Sequence, residues 1–286
     1  ANELIVKIYD AHNDALLSDL CPKADEITYN NGKFTFNVVM IKGMEYKILL
    51  WAQNSACAEV YTVKDDKTLE IDYSKLAKKE NNDEKLDAFY YYTPTNDTFD
   101  PTEDQPYFEL RRPFAQLNVG TNDFAASTSA GYTPTKSGVK VRNVYKTLSL
   151  ADGKVADPVE VMMDYAALPK GETFPVAGYD YLSMNYLLVP EAKGVIDIEF
   201  GYTDSNAAAA KTRIVGSVPV QRNYRTNVYG QLLTSKVGFN VIINPEFEEP
   251  DYNQTAFYTI GGSEANVGLL EEIFAEINNS NIENAY

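Results

Sequence analysis

The chain has 286 residues, about twice the ~150 of a typical domain, so two domains with an appendage are expected, with a core large enough to need no disulfide staples. Against 25 Lys and Arg stand 41 Asp and Glu, a net charge of −16 whose field repels phosphate backbones and anionic headgroups, which disfavours nucleic-acid and membrane-surface partners. One histidine, His12, and two cysteines, Cys21 and Cys57, exclude two-histidine metal motifs and multi-cysteine zinc sites, so no metal or cofactor is expected.

The 21 tyrosines against a single tryptophan, with an ordinary apolar fraction, describe a folded, β-rich chain. The longest apolar runs, Val38–Ile41 and Ile48–Ala52, fall far short of the ~18 residues that span a bilayer, so no membrane-spanning segment is expected. The chain starts at Ala1 with no basic stretch leading into an apolar one, and any export signal or lipid anchor is expected to have been removed.

In chain order, strict alternation marks strands at Leu4, Val6, Ile8; at Phe34, Phe36, Val38, Met40; at Tyr46, Ile48, Leu50; and at Leu69, Ile71, Tyr73. Asn30-Asn31-Gly32, Lys42-Gly43 and Asp65-Asp66-Lys67 are turn signals spaced for hairpins, which predicts an all-β antiparallel sandwich. His12, in Asp10-Ala-His-Asn-Asp14, reads as an exposed loop residue, and Cys21 with Cys57 is compatible with either a disulfide or two thiols. The loop from Thr95 to Asp104 lacks the spacing of a calcium loop and reads as solvated acid. Tyr90, Tyr91, Tyr92, Tyr179 and Tyr181 suit either cross-strand packing or stacking on a sugar ring. No pair of carboxylates stands out as a glycosidase acid and nucleophile.

From Tyr107 to Gly120 the inward parity switches between Leu110 and Ala115. Pro113 has no N–H for a continuous ladder, so a strand leaving one sheet for another is predicted at Arg111, Arg112 and Pro113, the candidate inter-domain junction. A second sandwich follows, with alternation at Leu182 to Leu188, Ile196 to Tyr202, Val218 and Val220, and Val237 to Ile243. Residues 251–286 carry six acids and no Lys or Arg, and Leu270, Ile273, Phe274 and Ile277 fall at helical spacing behind a candidate N-cap, Ser263. The boundaries expected are 1–105, 106–250 and an acidic, partly helical tail over 251–286.

YKILLWAQN from Tyr46, DAFYYYTP from Asp87, ELRRPFAQLNVGT from Glu109 and VPVQRNYRTNVYGQLLTSKVGFNVIINPEF from Val218 together resemble fimbrillin-like proteins of Bacteroidetes type V pili, over about residues 1 to 250. The resemblance implies two transthyretin-like β-sandwiches in tandem. It also implies export to the cell surface as a lipoprotein precursor, trimming by an arginine-specific protease, and assembly by addition of a donor strand from one pilin subunit to another, with no catalysis. For the donor strand the candidates are Ala256, Tyr258 and Ile260, which alternate in QTAFYTIGG without matching a motif. The acidic tail departs from a simple stalk subunit. The rival expectation is a monomeric, cell-surface glycan-binding lipoprotein whose tyrosines and Trp51 line a sugar site, and surface glycans or proteins are the further partners expected.

Overall fold

A computed structural model describes residues 1–30, 33–41, 43–77, 82–99, 108–204, 210–234, 239–244 and 256–258, the last two stretches as backbone. In chain order the strands are β1 Glu3–Asp10, β2 Thr28–Asn30, β3 Lys33–Thr35, β4 Tyr46–Gln53, β5 Tyr61–Val63, β6 Thr68–Ile71, β7 Phe89–Tyr92 and β8 Phe114–Thr121. They continue with β9 Pro134–Ser149, β10 Val155–Ala167, β11 Asp180–Leu188, β12 Gly194–Asp204, β13 Lys211–Val220, β14 Arg225–Gly230, β15 Phe239–Asn244 and β16 Ala256–Tyr258. Two short α-helices, α1 Tyr73–Leu76 and α2 Phe124–Ser129, and four single 3-10 turns complete the described elements. The fold is an all-β sandwich, as the alternation predicts.

The sheet β1-β4-β7 is a middle layer. Its register pairs Leu4 with Ala52, Val6 with Leu50 and Ile8 with Ile48, so one parity of apolar side chains fills one face. That face buries a smaller core with Tyr46, covered by Phe34, Phe36, Val38, Met40 and Phe108. The other parity, Tyr9, Leu49 and Trp51, enters the main core. A strand buried on both faces reads as a continuous apolar run, which is what ILLWA in β4 is.

Two larger sheets enclose the main core. One runs β13-β12-β9-β6-β5 with β10 paired to β9, and the other runs β11-β8-β14-β15-β16. The β5–β6 hairpin closes over Asp65-Asp66-Lys67, where Lys67 takes a left-handed φ of 68° and Lys64 N–H donates to the Thr68 carbonyl at 2.8 Å. β6 pairs with β9 through Leu69 and Leu148, so residues from both sides of the 105/106 boundary share one sheet and one core. Among the described residues all strand pairings but one are antiparallel, and the exception is β8 beside β14, with Arg225 opposite Gln116 and Gly230 opposite Thr121. Tyr73, expected to end a strand, instead opens α1, because the Asp72 carboxylate accepts the Ser74 and Lys75 N–H groups as an N-cap.

Candidate functional site

At Arg111, Arg112 and Pro113 the chain passes from the three-stranded sheet to the five-stranded one. Arg111 exchanges both backbone hydrogen bonds with Tyr90 of β7, at 2.8 and 2.9 Å, and Pro113 is buried directly before β8. Arg112 Nε donates to Asp87 Oδ2 at 2.7 Å, and its guanidinium lies 4.6 Å from the Phe89 ring centre. Burial pushes the Asp87 carboxyl above its ordinary pKa, and the Arg112 guanidinium opposes that shift.

The residues Gln221 to Tyr224 form the turn by which the chain crosses from β13 in one large sheet to β14 in the other. Tyr224 N–H closes on the Gln221 carbonyl at 3.2 Å, and Asn223 supplies the left-handed φ of 63°. Arg222 is buried and locks the crossing. Its Nη2 donates to the Gly153 carbonyl at 2.8 Å, and Nε and Nη2 each reach the Val189 carbonyl at 3.3 Å. Asn223 N–H donates to the Phe114 carbonyl at 2.9 Å. The stretches ELRRPFAQLNVGT and QRNYRTNVYG therefore meet in space. Between them lies a cleft of about 310 Å³ lined by Tyr90, Arg111, Arg112, Glu191, Gln221, Arg222, Asn223 and Tyr224.

A second feature is a segment outside any ladder. After β3 the chain runs from Phe36 to Met40 without turn or bend, with Phe36, Val38 and Met40 half-buried and Asn37 and Val39 exposed. Among the described residues these five make no backbone hydrogen bond. Val39 is 88% and Ile41 63% exposed. Ile41 adjoins an apolar groove of about 360 Å³ lined with Leu16, Leu17, Leu20, Met44 and Tyr46. Of the donor-strand candidates, Ala256 and Tyr258 lie on β16, which pairs antiparallel with β15 on the rim of the five-stranded sheet, and Ile260 lies outside the described residues. The expected tail helix over Ser263 to Ile277 also lies outside them.

A family model described as a family of unknown function, DUF6562, matches residues 3–263. The chain belongs to this family. Comparison with curated proteins finds no match. Among solved structures, the chain is similar to a "putative adhesin" from Bacteroides thetaiotaomicron, at 9% identity and a TM-score of 0.49 over 85% of this chain and 88% of the other. It is also similar to "putative polysaccharide binding proteins" from the same species, at 12% identity and a TM-score of 0.48 over 91% and 90%. A fimbrial assembly protein from Parabacteroides distasonis gives 11% identity and a TM-score of 0.42 over 88% and 91%. At these identities and TM-scores no site, partner or activity is carried across.

In this DUF6562 protein the remaining sequence candidates are dispersed. Trp51, expected by the rival reading to line a sugar site, is 0% exposed, with Tyr61 and Phe114 edge-on to it and its Nε1 donating to Gln53 Oε1 at 2.7 Å. That expectation is corrected, because a wholly enclosed indole presents no face to a ligand. Tyr181 and Tyr179 pack into a cluster with Phe174 and Tyr229, while Tyr90 borders the arginine cleft. Cys21 and Cys57 are free thiols, donating to the carbonyls of Leu17 and Lys85. His12 is exposed on a turn. Among the described residues no cluster of three or more His, Cys, Asp or Glu is placed to hold a metal ion, and no helix is long and apolar enough to cross a membrane.

Sequence reasoning missed Asp123. Standing directly before α2, it reads as a helix N-cap, yet its carboxylate serves a loop more than 100 residues away. Oδ2 accepts the N–H and the hydroxyl of Thr234, both at 2.7 Å, both oxygens approach Leu233 N–H at 3.2 and 3.3 Å, and Thr121 donates its hydroxyl to Oδ1. Burial raises the carboxyl's pKa and these donors more than offset it, so the pKa is lowered. This anchor holds the stretch that leads into β15 and β16.

Proposed function

We propose that the protein is a non-catalytic structural subunit of a cell-surface fimbria of the type V pilus kind, assembled by donor-strand addition and serving adhesion or biofilm contact. The observation that carries this reading is the segment Phe36–Met40, whose inner residues are seated on the smaller core while its backbone is unpaired among the described residues. An open strand edge is a template for a strand from another chain. Covering the exposed Val39 and Ile41 side chains contributes on the order of 4 kcal/mol before ordering costs. On the donor side, β16 pairs over three residues, Ala256 to Tyr258. At about 1 kcal/mol net for each backbone hydrogen bond, that seat is weak enough to exchange for a longer one on a neighbour. A lipoprotein precursor and presentation outside the outer membrane complete the proposal.

The test is the mass distribution of the purified chain across a concentration series, in solution and in unheated SDS. It is run intact, trimmed of β1, truncated after Pro250, and as the double variant Val39→Lys/Ile41→Lys. A concentration-dependent ladder that disappears with the truncation and with the charged edge supports strand addition. A persistent monomer in every sample overturns it in favour of the monomeric glycan-binding reading, and a ladder indifferent to both changes overturns the assigned edge and donor.

A further inference from the structure

Neither Phe36–Met40 nor β16 lines the arginine cleft. We propose that it binds a single carboxylate-bearing sugar, a uronic or sialic acid unit of a surface glycan. The biological role rests on the surface-fimbria reading above, whereas the chemistry of the cleft does not.

Three arginines, Arg111, Arg112 and Arg222, line the cleft with Glu191, and since Asp87 is paired with Arg112 one positive charge stays unbalanced there, in a chain whose net charge is −16. A local excess of positive charge runs against the field of the whole molecule and selects for an anion. Two of the three are fixed in place, Arg222 by the Val189 and Gly153 carbonyls and Arg112 by Asp87 and the Phe89 ring. Arg111 is exposed and held only through its backbone by Tyr90. Among the described residues its guanidinium has no hydrogen bond or ion pair, which leaves a planar fork of donors for a carboxylate.

The rest of the lining suits hydroxyl groups. Gln221 offers an amide, and Tyr90 and Tyr224 offer phenols beside apolar rings. The volume of about 310 Å³ lies at the small end of ligand sites and suits one sugar ring, with no room for a helix. A sugar acid satisfies both halves of the lining together, charge on one side and hydroxyl partners on the other.

Binding is measured by calorimetry on the full chain at a dilution where it is monomeric, so the outcome is independent of assembly. The probes are glucuronate, N-acetylneuraminate, glucose, and a synthetic peptide with the sequence of residues 246–251. Either sugar acid should bind in the low millimolar range expected for one small ligand, weakening as salt is added, while glucose does not bind. Arg111→Ala should lose about tenfold or more in affinity with an unchanged melting temperature, and Arg111→Lys should recover part of it. Glu191→Gln should tighten binding about threefold by removing the opposing charge. Equal binding by Arg111→Ala, or binding of glucose as well as the acids, overturns the proposal. Binding of the acidic peptide alone also overturns it, assigning the cleft to a protein segment. A ladder in the assembly test with no sugar-acid binding refutes this inference and leaves the fimbrial reading standing.

Discussion

Replacing Asp123 by Ala removes one side chain that holds two distant parts of the chain together. The carboxylate accepts from the Thr121 hydroxyl, from Leu233 N–H and from both the N–H and hydroxyl of Thr234. Thr234 is exposed, so its donors regain water when the carboxylate is lost. Leu233 is buried and its N–H has nowhere to turn, a penalty of ~1–3 kcal/mol, to which the lost charge-assisted bonds at Thr234 add about 1 kcal/mol. The expected destabilisation is about 3 kcal/mol, and a chain of this length should melt roughly 6–9 °C lower. Because the folded-state pKa is depressed, the contribution is fully present above the unfolded carboxyl's pKa and is lost as pH falls through the folded value. Urea unfolding of wild type and variant should therefore show a constant gap from pH 8 down to about pH 5 and a shrinking one below about pH 4. Hydrogen exchange of the β15 backbone should accelerate in the variant, since the anchored loop leads into it. A gap under about 0.5 kcal/mol at neutral pH, or one that does not shrink in acid, would refute the reasoning.

Other perturbations test separate parts of the fold. Gly138 and Gly201 are opposed on β9 and β12, and the Tyr165 ring lies over both. A Cβ on Gly201 would meet only that side chain, whereas one on Gly138 would lie 2.8 Å from the Met163 carbonyl oxygen. Gly201→Ala should cost about 1 kcal/mol and be rescued by Tyr165→Ala, while Gly138→Ala should cost about 3 kcal/mol and not be rescued; equal costs in denaturant titration would contradict this. Gln53→Leu strands the Trp51 indole N–H and one partner of Glu3 and should destabilise by ~1–3 kcal/mol, followed by the fluorescence of the sole tryptophan. Hydrogen bonds from Lys146 and then Lys64 hold the Glu70 pKa down to about 2, so its contribution exists above the ordinary glutamate value and vanishes as pH falls through about 2. A carboxyl titration by NMR should give that value in wild type and a value raised toward normal in Lys146→Met.

Much of the strand pattern was legible because a half-buried strand must alternate. Leu4, Val6, Ile8 and Ile196, Ile198, Phe200, Tyr202 all point inward as their spacing requires. The long β9–β10 hairpin escaped that test. In β9 the buried set is Val139 and Val141, then Val144 and Leu148, because Asn143 takes a left-handed φ of 65° and shifts the parity halfway along. Phe34 to Met40 shows the converse: the alternation was read correctly, yet only Lys33–Thr35 joins a ladder, since alternation reports burial and not pairing. Gln116 and Asn118 of β8 fall on the parity that spacing assigns to solvent, and both are buried. Gln116 Nε2 donates to the Tyr186 hydroxyl and Asn118 Nδ2 to Asn227 Oδ1, contacts 70 and 109 residues apart in sequence that no local pattern announces.

The same limit separates the residues that identify the fold from those that give it a use. Arg222, Asn223 and Arg112 are the recognisable letters in their motifs, and each is spent on carbonyls, a turn or a buried carboxylate that fixes one sheet against another. A chain can keep those letters and change its partner, because the bonds they make hold the fold together. Val39, Ile41 and Arg111 are the reverse. They are exposed, contribute little to the packed interior, and are the kind of residue that a stability argument alone would replace with something polar and small. Two large apolar side chains on an open strand edge are an aggregation hazard in a monomer, and natural edges usually carry charge or proline instead. β10 shows that this chain uses those safeguards elsewhere, with Pro158, Glu160 and Asp164 along it and register breaks between Val159 and Val161 and between Met163 and Ala166. Among the described residues one rim is protected while the Phe36–Met40 backbone is left without a partner. The proposed addition of a neighbour's strand rests on that asymmetry.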